Sequence, residues 1–422
     1  MRRFLTIAIS LFLLAGCANI TSLLSTPEPA TVPTSTVIAV TTPTIPPTPS
    51  VTPGGPRTLR IWVPPQFDPA AETPAGTLLQ ERLDEFMARR PGLRIEVRVK
   101  AESGPGNLLN SLTATRAAAP SILPDLVALS RADLESASTN GLLHPLDGLS
   151  TLPDDPDWYP YARQMAHIQN TTFGLPFAGD ALVLIGYRYP LPSAWNELPE
   201  KTLFIFPAAS PRALFSLSLY LSAGGTLQDS QGRPALDETI MADVLSFYLP
   251  STENEFIPAS VTTYENDEQA WNAFREQRGN LVVSWTSRYL EERSASLALA
   301  PLPGLETGPY GLATGWSWAL AGSDSEIQPL AVELAEFLSD SQFLAKWTQA
   351  AGYLPTRPTA LSPWTDANAQ IILTQTAESA YLLPNQDLLA TLGPLFAEAT
   401  LSVLNGEQLP LAAAQSAIVQ LK

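Results

Sequence analysis

Beginning at Thr58, short apolar runs alternate with segments of helical period, and that order restricts the chain to a layered α/β fold. Thr58–Pro64 (TLRIWVP) reads as a strand. Thr73-Pro74 then marks a helix start, since proline suits the first turn, and Leu78, Leu79, Leu83, Phe86 and Met87 recur at helical spacing until Pro91-Gly92. Arg94–Lys100 (RIEVRVK) alternates apolar and charged residues, which assigns it to a sheet edge, because a central parallel strand is apolar on both faces. Leu108–Ala119 reads as a helix and Pro124–Ser130 as a continuously apolar strand, completing a doubly wound lobe.

The pattern continues with variations. Thr171–Pro176, Ala181–Tyr187, Thr202–Phe206, Leu281–Trp285 and Gly315–Leu320 read as strands. Pro211–Ser222, Glu238–Leu249, Asp267–Gln277, Glu326–Leu338, Asp340–Ala350 and Leu411–Leu421 read as helices. A chain of 422 residues, 45 % hydrophobic, has material for two or three domains and excludes a disordered polymer.

The amino-terminal segment has a different character. Met1-Arg2-Arg3 precedes an apolar run from Phe4 to Ala15, too short for a membrane anchor but suited to a secretory signal. It ends in Leu14-Ala15-Gly16-Cys17, which resembles the bacterial lipobox. Residues 1–16 are thus expected to be a lipoprotein signal peptide, with Cys17, the chain's only cysteine, as the lipidation site. Residues 17–56 continue as a Pro/Thr-rich tether, rising about 3 Å per residue where it is polyproline-like. A single cysteine excludes an internal disulfide, and two histidines give little material for a metal site. With 24 Lys and Arg against 41 Asp and Glu, the net charge of −17 argues against nucleic-acid binding and against docking of the body on anionic lipid.

The order of segments from residue 57 to 422 resembles the extracellular solute-binding proteins of ABC importers, in the maltose/oligosaccharide-binding class (family 1). The segments are TLRIWVP, LQERLDEFMARRPGLRIEVRVK, PDLVALSRADLESASTNGLLHPLDGL, FGLPFAGDALVLIGYR, SAWNELPE, the LYLSAGGTLQDSQGRPALD run, WNAFREQRGNLVVSW, GLATGWSWAL and GYLPTR. The resemblance implies two doubly wound α/β lobes joined by hinge crossings, as in type II periplasmic binding proteins. Crossings are expected near 176–180, 311–316 and 352–357. One lobe would hold residues 57–178 plus 316–353, the other 179–315 plus 354–422. The implied role is capture of a small solute, a sugar or oligosaccharide, in the interlobe cleft and its delivery to ABC permease subunits. The protein would be a monomer without cofactor, held by lipid at the outer face of the cytoplasmic membrane.

Ligands of such sheets lie beyond the carboxyl ends of strands, and that rule selects the candidate residues. Ser130 and Arg131 follow PDLVALS; the alternative for this stretch is a helix N-cap. Asp180 ends PFAGD, where a carboxylate can accept sugar hydroxyls or satisfy turn amides. Trp285 and Trp316 close or interrupt strands, and an indole face stacks on a pyranose ring; packing in the core is the alternative. Arg212, at an expected helix start, Tyr353 in GYLPTR and Trp62 near a strand end complete the set. Trp271, Phe274 and Trp347 read as core, and His144 as structural.

One departure from the sugar-binder pattern leaves the ligand open: Tyr187 is followed by Arg188 where those proteins usually carry Asn. Gly315-Trp316-Ser317-Trp318-Ala319 imitates a G-x-S-x-G elbow, but Ala closes it and the flanks read as continuing strand. With no phosphate loop or H-E-x-x-H motif, an enzyme is not expected. A ligand-sensing or scaffolding surface lipoprotein is the second reading.

Overall fold

The computed structural model describes residues 57–187, 190–249, 256–292 and 294–421. Residues 1–56, with the expected signal peptide, Cys17 and the expected tether, lie outside the described residues. Eleven strands occur among these residues: β1 (Arg57–Val63), β2 (Leu93–Val99), β3 (Leu126–Ser130), β4 (His167–Ile168), β5 (Thr171–Thr172), β6 (Gly174–Gly186), β7 (Phe204–Ile205), β8 (Leu281–Trp285), β9 (Ala298–Pro301), β10 (Gly311–Leu320) and β11 (Ala380–Leu382). Nine of them join one mixed sheet in the order β2-β1-β3-β10-β6-β8-β7, with β11 beside β10 and β9 beside β6.

The alternating strand β2 does lie at the sheet's end, beside β1 in parallel register. The expected helices form, and side-chain oxygens cap many of them. Thr73 accepts from Gly76 N, Asn107 from Asn110 N, Asp237 from Ile240 N and Asp340 from Phe343 N. The helix expected at Pro211 instead begins at Leu214, because Ala213 takes a left-handed φ of 44° that ends the preceding turn.

Two strands are longer than their sequence suggests. The polar Asp180 and Pro176 read as breaks, yet β6 runs unbroken through both. Its first half pairs antiparallel with β10, from Gly174↔Ala319 to Ala181↔Ala313, and its second half pairs with β8 and β9. A register shift between Trp316 and Ser317 lies opposite Pro176, where a proline cannot donate to the ladder. β10 likewise pairs with β3 at Trp316–Leu320 and with β11 at Gly311–Ala313. Ser317 is thus buried in mid-strand, which rules out an elbow there.

β6 and β10 therefore link two regions of core. One cluster contains Leu59, Phe67, Phe86, Phe177, Trp318 and Trp347; a larger one contains Leu184, Phe206, Phe215, Tyr248, Trp271 and Phe274. A third segment joins them: Gly179 and Leu354 exchange backbone hydrogen bonds of 2.8 and 2.9 Å. Gly179 has to be glycine, since a Cβ there would lie 2.0 Å from the Tyr161 hydroxyl.

Candidate functional site

The residues around the three linked segments form one locality. Trp316, on β10, lies in register with Ser130 of β3 on one side and Ala178 of β6 on the other. Two rungs along β6, Asp180 pairs with Thr314, and two further, Leu182 pairs with Trp285 of β8. Ser130, Trp316, Asp180 and Trp285 are thus placed along one stretch of sheet. Tyr353 joins them through Phe67: the Phe67 ring stands at 90° to Trp316 at 5.2 Å and tilts against Tyr353 at 5.6 Å. Gly352, at φ +76°, ends the helix Ser341–Ala351 and turns the chain into the Tyr353–Leu354 link.

Asp180 is half-buried and already bonded. Its Oδ1 accepts the N–H of Ala181 and of Ser287, each at 3.0 Å, and its Oδ2 accepts the Ser287 hydroxyl at 2.6 Å. Burial pushes its carboxyl up to about 7; the bonds from Ser287 and Ala181 oppose that rise, and the Asp267 charge adds to it. The same bonds secure the start of the helix Thr286–Glu292, whose Thr286 hydroxyl donates to Ala181 O at 2.9 Å. Of the carboxylate's roughly four acceptor sites, three are used. Burial also raises the Tyr353 phenol, as do the carboxylates of Asp180, Glu102 and Glu291. Trp316, 8 % exposed, and Phe67, 2 %, belong to the core cluster, so core packing accounts for most of the Trp316 ring; Tyr353 is half-buried, beside the exposed Glu102 and Glu291.

The remaining candidates lie elsewhere or have other partners. Ser130 accepts the Asp133 N–H at 3.2 Å and caps the helix Arg131–Thr139. Arg131 pairs with Glu135 at 2.9 Å and donates to the carbonyls of Met165 and His167. Trp62 is 2 % exposed, packed among Leu108, Leu112 and Val127, with the Lys100 ammonium 4.6 Å from its ring centre. Arg212 does not begin a helix; it is an exposed residue of the turn before Leu214. Trp271, Phe274 and Trp347 are core, as expected.

Sequence reasoning missed Phe67, Glu102, Ser287 and Glu291. The signal was present, since Phe67 follows β1, Glu102 follows β2 and Ser287 follows β8, each just past a strand's carboxyl end. Among the described residues, no group of three or more His, Cys, Asp or Glu is placed to hold a metal ion.

Two linked α/β lobes with aromatic and acidic residues at the crossing strands define a two-lobe binding-protein architecture. The family described as bacterial extracellular solute-binding protein matches residues 70–342, more than half of the chain, and this protein belongs to it. Solved structures agree on the fold. The cyclic alpha-maltosyl-1,6-maltose binding protein from Arthrobacter globiformis is 17 % identical with a TM-score of 0.69, covering 87 % of this chain and 99 % of its own. Maltose-bound T. maritima MalE3 is 18 % identical, TM-score 0.64, covering 86 % and 98 %. An ABC transporter solute-binding protein from Thermotoga lettingae, bound with alpha-D-tagatose, gives the same identity, score and coverage. No curated protein matches the sequence significantly.

Proposed function

We propose that this protein captures a neutral sugar or oligosaccharide where the crossing strands meet and passes it to an ABC import permease. The observation that carries the reading is the placement of Trp316, Asp180 and Trp285 along one stretch of sheet at the crossings of a solute-binding fold, with half-buried Tyr353 beside them and the buried Phe67 packed against both Trp316 and Tyr353. Aromatic faces cover the C–H faces of a ring, while carboxylates accept its hydroxyls. Anions would meet the carboxylates of Glu102, Asp180 and Glu291 and are disfavoured. Maltose and tagatose in the similar structures named above support the sugar class. Trp285, on the neighbouring strand, extends the stacking surface toward the second lobe.

The lobe assignment follows the same reading: 57–178 plus 316–353 form one lobe, and 179–315 plus 354–422 the other. Rotation about the crossings near 176–180, 311–316 and 352–357 closes them on the ligand. Lipid on Cys17 holds the monomeric protein at the outer face of the membrane, and residues 17–56 let it reach the permease.

Calorimetric titration with maltose, maltotriose and D-tagatose tests the binding site. Trp316→Ala and Trp285→Ala are each expected to weaken the best ligand by about 1–3 kcal/mol. If both variants bind as wild type does, the site is elsewhere. If the best ligand in a wider screen is a di-acid or a peptide, the sugar reading fails. Labelled palmitate should enter wild type and not Cys17→Ser; equal labelling refutes the anchor.

A further inference from the structure

A cavity of about 590 Å³ opens where the helix Thr286–Glu292, the end of the helix Ser341–Ala351 and the start of the helix Ala367–Glu378 (which follows Trp364) come together. Its volume falls in the range of small-molecule pockets, about 300–1,000 Å³. None of Trp316, Tyr353, Asp180 or Trp285 lines it. The wall is apolar, with Leu299, Ile372 and the Trp364 indole, which is fixed by donating to Ala345 O at 3.0 Å. Five polar side chains line it: Tyr289, Gln349, Asp366 and Asn368, with Ser294, whose hydroxyl is paired with that of Ser296 at 2.8 Å.

The hydrogen-bonding capacity of the first four is largely unused. Asp366 Oδ1 accepts the N–H of Asn368 and Ala369, capping the helix Ala367–Glu378, and Oδ2 is left over. The side-chain amides of Gln349 and Asn368 and the Tyr289 hydroxyl have no hydrogen-bond partner among the described residues. Two amides, a phenol and one carboxylate oxygen around an apolar floor offer both donors and acceptors, with one carboxylate and no cation among the described lining residues. Hydroxyl groups can use every one of these partners, whereas an anion would face Asp366 unpaired.

We propose that this cavity is a second binding site, for an uncharged, hydroxyl-bearing molecule of monosaccharide size. It goes beyond the crossing-strand site. An occupant would touch both halves of the molecule. Gln349 belongs to the helix whose Leu344, Ala345 and Trp347 pack in the first core cluster, while Leu299 and Trp364 belong to the second. The helix Thr286–Glu292, which carries Tyr289, also carries Ser287, the partner of Asp180. Any shift of one cluster against the other changes the cavity, so binding here and at the crossing strands is thermodynamically coupled.

The test is titration calorimetry of the full chain with D-glucose, D-mannitol and myo-inositol. Variants are Gln349→Leu, Asn368→Leu, the near-isosteric Asn368→Asp should leucine disturb the helix start, and Trp316→Ala. At least one probe is expected to bind wild type, to lose about tenfold or more in affinity in the Gln349 and Asn368 variants, and to bind Trp316→Ala within about twofold of wild type. The proposal is overturned if no probe binds or if none depends on both residues. A probe weakened only by Trp316→Ala occupies the crossing-strand site, so the cavity proposal fails while the sugar reading stands. D-glucuronate binding as tightly as D-glucose through Asn368 would overturn the uncharged class.

Discussion

The Asp180 carboxyl makes a sharp prediction about stability and pH. Unfolded, it titrates near 3.8; in the fold, burial among β6 and the helix Thr286–Glu292 moves it to about 7. Between those values the folded chain keeps a proton that the unfolded chain has released. Stability from this group is therefore greatest below 3.8 and is lost progressively as pH rises to about 7. A shift from 3.8 to about 7 corresponds to about 4 kcal/mol. Solvent reaching the half-buried carboxyl screens part of it, leaving about 2–4 kcal/mol. Asp180→Asn removes the titration. The amide oxygen still accepts from Ser287 and Ala181 N–H, and the Ser287 hydroxyl can turn to accept from the new amide group. The measurement is the urea midpoint of wild type and Asp180→Asn from acid to mildly alkaline pH, read as a difference. Asp125, Asp133 and Asp267 are also raised by burial, but they titrate in both proteins. The variant should gain on wild type as pH rises through this window. A flat difference, or one growing in favour of wild type, would refute the reasoning.

Gly179→Ala should destabilise the protein by about 1–3 kcal/mol, because the new methyl meets Tyr161 and the Leu354 carbonyl; an unchanged melting temperature would show that the crossing can open to admit it. Arg357, 6 % exposed, is held by Asp155 at 2.8 Å and Asp157 at 3.0 Å and stacks on Trp158, so Arg357→Met should cost about 2–4 kcal/mol by denaturant titration. Small-angle scattering should show a smaller radius of gyration on saturation with the best sugar; no change would count against closure about the crossings.

The sequence by itself determined the local elements and the class of fold. Helix starts at Thr73, Asn107 and Asp340 depend on a cap and the first turn, and those are contiguous in the chain. The edge position of β2 was readable too, because solvent contact is written into its alternation. Ser130 illustrates the limit: its capping role was one of two readings, and only the bond from Asp133 N assigned it. What tertiary structure alone decided is long-range pairing. Asp180 and Pro176 look like strand breaks until β10 supplies a partner strand, in register with Asp180 at Thr314 and with a shift opposite Pro176. Trp62 and Trp316 read alike as residues near strand ends, yet Trp316 lies in the middle of β10, and different elements cover the two rings: Lys100 and Leu108 one, Phe67 the other. A side chain's period says that it faces a layer; which element covers that layer depends on contacts between residues far apart in the chain, and no local pattern encodes those.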